Sequence, residues 1–328
     1  MLSIIIIGKN EGWKLTLCLK SVYESLEQCG INLYEVIYVD SGSTDDSINR
    51  AQNFPKTRIF KITGESNPAI GRNVGAEESR GDTLLFLDGD MELKAENFNQ
   101  FYSEHDGLKK EFLTGNWINR NYDNFEDKKV VSEKRAFNLK EDITDYKVGG
   151  LFFIKKSLWT EVGGMKNKMR RHQDVDMALR LAKKGVFLNR KKEMLAIHHT
   201  TSPRQNIKKM IFRNLRGSTL YRIVGLRDNI FNKYQWLYFF RNSYTFVFLI
   251  ICVLSSILLK NYYFLLFYFL VLFIRTLFRK QFLPHIMLSN MLVILLNEMS
   301  YIFTFIFFWP KNHKIEYISI EHQFVNKL

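Results

Sequence analysis

Two long apolar runs near the C-terminus constrain this chain more than any other feature. Leu237–Leu259 is apolar except for Arg241, Asn242 and a few hydroxyls. Ile286–Trp309 is broken only by Asn290, Asn297, Glu298 and hydroxyls. A helix needs about 20 predominantly apolar residues to cross a bilayer, and both runs reach that length. A shorter run, Tyr262–Ile274, lies between them, and Lys260-Asn261 leaves room only for a tight hairpin. Three such runs carry too much apolar surface for a small soluble bundle. About three transmembrane helices are expected over residues 237–310. Three full crossings, the favoured count, would put the tail, residues 311–328, on the far side of the membrane; two crossings plus an interfacial helix would keep it on the near side.

Charge follows the same divide. The chain has 328 residues and a net charge of +14. From Thr201 onward there are 16 Lys and Arg against 4 Asp and Glu, whereas residues 1–200 carry 31 against 29. The excess sits beside apolar runs, which points to anionic lipid and away from nucleic acid. Residues 203–236 form a basic segment, in which Ile207, Met210, Ile211 and Leu215 alternate with Lys208, Lys209, Arg213 and Arg216. That pattern predicts an amphipathic helix in the membrane interface. The positive-inside rule then keeps this side, and residues 1–202, in the cytoplasm, on a multi-pass cytoplasmic (inner) membrane protein. Three cysteines without CxxC spacing exclude a disulfide framework and a cysteine zinc site.

Residues 1–202 read differently. Ser3–Ile7 is a short apolar run of a fully buried strand, too short for a signal peptide. A helix is expected near Lys14–Glu27, strands over Glu35–Val39 and Arg58–Ile62, a helix over Asn73–Ser79 and a strand over Thr83–Leu87. Ser43 or Thr44 is expected to cap the helix between the second and third strands. Gly149–Ile154 reads as a further strand, and Asp174–Lys184 as an amphipathic helix. Strands alternating with helices predict an α/β fold with a doubly wound, mostly parallel sheet. Ligands of such sheets bind beyond the C-terminal strand ends, where Gly8-Lys9-Asn10, Asp40-Ser41 and Asp88-Gly89-Asp90 fall.

Three groups could carry chemistry. Asp88 and Asp90, one residue apart at a strand end, can meet a hard divalent cation such as Mn²⁺ or Mg²⁺; an ordinary acidic turn looks the same. Asp174 and Asp176 do not share a helix face, so one can face a site as general base while the other is solvated or caps the helix; an acidic cluster favoured by the helix dipole looks the same. His198 and His199 could supply one metal ligand, or be structural.

Over residues 2–202 the chain resembles a family 2 glycosyltransferase of the GT-A fold. Ser3–Asn10-Glu11 is similar to the family's opening strand and turn. Val39-Asp40-Ser41-Gly42-Ser43-Thr44-Asp45 resembles its nucleotide-binding segment, Ile70-Gly71-Arg72-Asn73-Val74-Gly75 its RN-x-G loop, and Leu87-Asp88-Gly89-Asp90 its metal motif. Val162-Gly163-Gly164-Met165 with Gln173-Asp174-Val175-Asp176 through Arg180 resembles its GGF…ED-x-D…R segment.

The resemblance implies a metal-dependent, inverting hexosyltransferase acting at the cytoplasmic membrane face in cell-surface polysaccharide or glycolipid assembly. Its donor would be a nucleotide-diphosphate sugar and its acceptor a lipid-linked or glycan hydroxyl. Asn10, Glu11, Asp40, Ser41, Arg72, Asn73 and Asp88 would bind the nucleotide sugar. Asp90 and Asp88, with His198 or His199, would hold Mn²⁺ or Mg²⁺, and Asp174 would be the base. Ser41 and Gln173 depart from the family's usual acids, and the processive enzymes' Gln-x-x-Arg-Trp motif is absent. A polyprenyl-phosphate sugar synthase, a processive synthase and an inactive membrane scaffold are the competing readings.

Overall fold

The computed structural model describes residues 1–201, 218–277 and 284–322. The expected interfacial helix over Ile207–Leu215 lies outside the described residues. The chain divides into two compact units. One holds Met1–Pro203 together with Lys311–Leu328, and the other Arg204–Pro310.

The first unit is an eleven-stranded mixed sheet with helices packed on it. Its centre is β1 (Leu2–Gly8), buried at all seven positions. β1 lies parallel to both β2 (Tyr34–Asp40) and β4 (Thr83–Asp88), and β3 (Thr57–Ile62) continues the parallel set. A strand hydrogen-bonded on both sides and covered on both faces has no use for polar alternation, hence the unbroken Ile4–Ile7. α1 (Trp13–Gln28) buries Leu15, Cys18, Leu19, Val22 and Leu26 at helical spacing. α2 (Ser47–Gln52) follows β2 with Asp46 at its N-cap, two or three residues later than expected.

α3 (Pro68–Glu78) begins five residues before the expected Asn73. Asn67 caps it by accepting from Ala69 N and Ile70 N, and Pro68 opens its first turn. Gly75 lets it lie against β1: a Cβ there would stand 2.1 Å from Ile5 Cγ2.

Beyond β4 the pairing is mixed. β5 (Met91–Leu93) is followed by a 3-10 turn over Ala95–Gln100 and a small ribbon, β6 (Tyr102–Ser103) with β7 (Gly107–Leu108). β8 (Phe112–Tyr122), β9 (Val130–Arg135), β10 (Ile143–Asp145) and β11 (Leu151–Lys155) extend the sheet. α4 (Lys156–Val162), α5 (Gln173–Lys183) and β12 (Leu188–Thr201) complete this part. β11 lies antiparallel to β4 and β8, whereas β12 runs parallel to β8. The strand order is β10-β12-β8-β11-β4-β1-β2-β3-β13, with β5 on β12 and β9 on β8.

The last strand corrects the expected boundaries. β13 (Tyr317–Ile320) is no separate tail: it pairs antiparallel with β3, Tyr317 opposite Ile62 and Ile320 opposite Ile59. The tail therefore belongs to the sheet unit.

The second unit is helical: α6 (Ser218–Asp228), α7 (Lys233–Leu258), α8 (Tyr263–Leu277) and α9 (Pro284–Phe307). Among the described residues two helices are long and apolar enough to cross a membrane, Lys233–Leu258 and Met287–Phe307. Of the three expected runs, the middle one gives the described helix α8, 15 residues long and shorter than the other two. Cys252, Tyr268, Leu272 and Ile294 pack inside this unit, while Leu254, Ile257, Leu266, Leu288 and Phe303 are exposed.

Candidate active site

The site forms where β1, β2 and β4 end. The turns after β1 and β2 are laced together: Asn10, at φ 58°, accepts Thr44 N–H on its side-chain oxygen and donates its own N–H to Ser43 Oγ. Ser43 and Thr44 are thus bound to Asn10 instead of capping α2. Glu11 N–H and Gly12 N–H both donate to Ser47 Oγ at 3.0 Å. Asp40 is fully buried, with Oδ1 accepting from Tyr38 O–H at 3.0 Å and Oδ2 from Gly42 N–H and Ser43 N–H at 3.0 and 2.8 Å. Its carboxylate holds this turn in shape. Ser41 N–H donates to Gly8 O, which fixes the turn against β1.

Asp88 and Asp90 stand at the adjoining end of β4. Arg72, buried on α3, donates from Nη2 to Asp88 Oδ1 at 2.6 Å. On the other side Gly150 leaves room for the carboxylate, since a Cβ there would lie 1.9 Å from Asp88 Oδ2. Burial pushes the Asp88 carboxyl up; Arg72 opposes this, Asp90 and Asp174 add to it, and the net displacement is upward. Asp90 goes the other way. Burial raises it, but the hydrogen bond and charge of His198 outweigh that and hold it below its ordinary value. Glu11 is pushed up by burial and by the charge of Asp90, with Lys14 opposing.

The two histidines occupy opposite faces of β12, as neighbours on a strand must. His198 Nε2 stands 3.3 Å from Asp90 Oδ2, and its Nδ1 lies 2.9 Å from Asn119 Oδ1. Trp117 Nε1–H also donates to that oxygen, which fixes it as the acceptor. Nδ1 therefore carries a proton, and Nε2 faces Asp90. Burial disfavours the imidazolium, yet the hydrogen bond and charge of Asp90 prevail and raise its pKa. His199 is buried, with Nε2 3.1 Å from Glu92 Oε2 and Nδ1 2.8 Å from Tyr122 Oη. Both of its nitrogens are engaged away from Asp90.

Asn73, expected to bind the donor, and Asp176, the alternative to Asp174 as base, are tied into the scaffold. Asn73 accepts Met165 N–H at 3.0 Å and donates to Met165 O at 2.6 Å and Asn167 Oδ1 at 2.7 Å, pinning the loop after α4 to α3. Asp176 is fully buried and pairs with Lys166 at 3.2 Å and Arg180 at 2.8 Å. Asp174, half-buried one turn-face away, accepts Gly149 N–H at 3.0 Å. The structure thus brings Arg72, Asp88, Asp90, His198 and Asp174 to one edge of the sheet.

Sequence reasoning missed Gly149-Gly150, which it read as the start of a strand. Gly149 has φ 82° and aims its N–H at Asp174, and Gly150 seats Asp88. A Gly-Gly pair directly before an apolar run was the available signal. It also missed Arg190, fully buried, which pairs with Asp145 at 3.2 Å and donates to Gly115 O and Lys147 O beneath this loop.

Asp90 Oδ1 is buried without a hydrogen-bond partner, as are Nε and Nη1 of Arg72. An unpaired carboxylate oxygen beside an imidazole nitrogen suits a hard divalent cation. The described residues supply no group of three His, Cys, Asp or Glu side chains, so such an ion would need further oxygens from substrate or water.

Residues 3–166, half the chain, match the family described as Glycosyl transferase family 2. The chain belongs to this glycosyltransferase family. Its mixed sheet, with a parallel core of β3-β2-β1-β4 and flanking helices, is a GT-A architecture. An uncharacterized glycosyltransferase of Haemophilus influenzae is 30% identical over 193 residues, covering 57% of this chain and 64% of the relative. A second from that organism is 34% identical over 77 residues, 22% of this chain and 28% of the relative. The chain thus spans less than two thirds of either. A crystal structure of S. aureus TarS 1-349 in complex with UDP-GlcNAc aligns with a TM-score of 0.49 at 14% identity, over 66% of this chain and 64% of that one.

Proposed function

We propose that this family 2 member is a membrane-held, inverting glycosyltransferase. It moves a sugar from a nucleotide-diphosphate sugar to a hydroxyl of a lipid-linked or glycan acceptor. The observation that carries this reading is the pairing of Asp90 and His198 on one side of Asp88 with Asp174 beyond Gly149-Gly150 on the other.

The division of labour follows from the environments. Asp174, half-buried and hydrogen-bonded through one oxygen, keeps the other for the acceptor hydroxyl and takes its proton as the oxygen attacks the anomeric carbon. The nucleoside diphosphate departs from the opposite face, so the configuration inverts. Asp90 and His198 would hold Mn²⁺ or Mg²⁺ with substrate oxygens. Such an ion neutralises the charge that develops on the departing diphosphate. Arg72 keeps Asp88 in place and brings a buried positive charge to the same edge. Exposed apolar helices in the second unit support a membrane location, with lipid as the partner surface.

The test is nucleoside diphosphate release from a panel of nucleotide sugars with Mn²⁺, with and without acceptor lipid. Asp90→Asn removes the charge that would hold the cation. It should nearly abolish release and leave donor binding indifferent to metal. Full activity of Asp90→Asn in chelator would overturn the metal assignment. No turnover of any donor by the wild-type chain would favour a scaffold instead.

A further inference from the structure

Hydropathy alone leaves open which side of a membrane the tail occupies, and the sheet supplies the constraint. β12 ends at Thr201 and β13 begins at Tyr317, and both are strands of one sheet. Four register pairs hold β13 on β3. Thr63 N–H donates to Glu316 O at 3.0 Å, and Tyr317 O–H to Glu78 Oε1 at 2.7 Å. A single folded sheet lies on one side of a bilayer. Chain that leaves it after β12 and rejoins it at β13 must cross an even number of times, or not at all.

The helical unit agrees on independent grounds. α7 and α9 run antiparallel: Ser243 Oγ meets Tyr301 Oη at 3.2 Å, and Thr245 O–H is bonded to Glu298. Arg227, just before α7, donates to Thr304 O and Phe305 O at 3.3 and 2.9 Å and lies 3.5 Å from the Trp309 ring centre. The start of α7 and the end of α9 are therefore at the same end of this unit. α8 turns back along α7, yet Arg275 near its end lies over Tyr244 and beside Thr245, only half-way along α7. Its described 15 residues reach about 22 Å, short of the roughly 30 Å of hydrocarbon. The cation there is answered by Glu298 at 3.8 Å. By sequence, Arg222, Arg227, Lys233 and Arg241 lie before or near the start of α7 and Lys311 and Lys314 follow α9, against Lys260 between α7 and α8 and Arg279 and Lys280 between α8 and α9. That asymmetry is the one the positive-inside rule associates with the cytoplasmic face.

We infer, resting on the membrane-held reading above, that residues 204–310 are a two-crossing insertion in the sheet unit. α7 leads out, α9 leads back, and α8 is a partial-depth arm. The tail returns to the sheet's own side of the membrane, where β13 closes the edge beyond β3. This replaces the three-crossing expectation and its far-side tail.

The test uses the full chain in cells. A fluorescent protein that matures only in the cytosol, fused after Leu328, should glow, and alkaline phosphatase at the same point should stay silent. Asn261→Cys in a Cys29→Ser background should be labelled by a membrane-impermeant maleimide in intact cells, since Cys18 and Cys252 are buried. Active phosphatase at Leu328 would overturn the even count. An unlabelled Asn261→Cys that reacts only after lysis would overturn the crossing by α7. Release of the protein by alkaline carbonate would instead remove the membrane-held reading, a separate failure that leaves β13 on its strand.

Discussion

Two aspartates separated by one residue on α5 illustrate how environment assigns roles. Asp174→Asn keeps size and hydrogen bonding to Gly149 but removes basicity. Turnover should fall about 10²–10⁴-fold, the usual worth of a general base, with donor affinity nearly unchanged. Asp176→Asn acts on the fold. It strips the buried partner from Arg180 and Lys166. Breaking a buried pair from one side costs about 3–5 kcal/mol. The low end applies here, because Arg180 keeps Val162 O and Gly164 O as acceptors. Urea unfolding should register Asp176→Asn and not Asp174→Asn; the reverse pattern would exchange the two roles. Gly150→Ala is the complementary probe. Its methyl would collide with Asp88 Oδ2, so the carboxylate must leave its seat against Arg72. We expect at least a tenfold loss of turnover by the same release assay; wild-type kinetics would show that Asp88 need not sit there.

At the level of elements, the parallel core was legible because its signal is local: four short apolar runs, each ending in a polar turn. The start of α3 was not read at Asn67-Pro68, a cap followed by a first-turn proline, but five residues later at Asn73. Asp88 and Asp90 stood out by their spacing at a strand end; spacing left Asp174 and Asp176 as alternatives, and the family resemblance singled out Asp174. Asp40 is spent locally, on Tyr38 and the amides of its own turn. The roles of Asn73 and His199 could not be read, since each is spent on partners distant in sequence, Met165 for one and Glu92 and Tyr122 for the other. Glu35 is another such long-range clasp, and it makes stability depend on pH. Burial pushes its carboxyl up, but Arg80 N–H, Ser3 O–H and Arg58 outweigh this, and it titrates below its ordinary 4.5. A lowered folded pKa gives stabilisation that is complete above the unfolded value and disappears as pH falls through the folded one. The stability advantage of the wild type over Glu35→Gln should therefore shrink between about pH 5 and about pH 3 in urea titrations. An advantage constant over that window would mean that the carboxylate charge contributes nothing.

For the whole molecule, composition separated two unlike halves correctly but treated them as consecutive. Nothing in Tyr317–Ile320 announces a sheet strand by itself: four residues are too few for a pattern, and their partner lies some 250 positions upstream. Only long-range pairing reveals that the helical unit is inserted between parts of one domain. The physical reason for the return is visible in what β13 covers. Without it β3 would be an open edge, with unpaired backbone groups ready to recruit another chain. Tyr317 closes that edge by packing edge-on against Phe60, with ring centres 5.8 Å apart, while its hydroxyl reaches Glu78. Removing a fully buried aromatic side chain costs about 3–5 kcal/mol; Tyr317 is half-buried, and about 2 kcal/mol is expected for Tyr317→Ala. The loss should fall on the sheet unit, so amides of β3 should exchange with deuterium faster while those at the centre of β1 stay protected. Tyr317→Phe should retain most of the stability and lose only the bond to Glu78. If Tyr317→Ala leaves β3 as protected as before, the strand merely rests on the sheet and does not seal it.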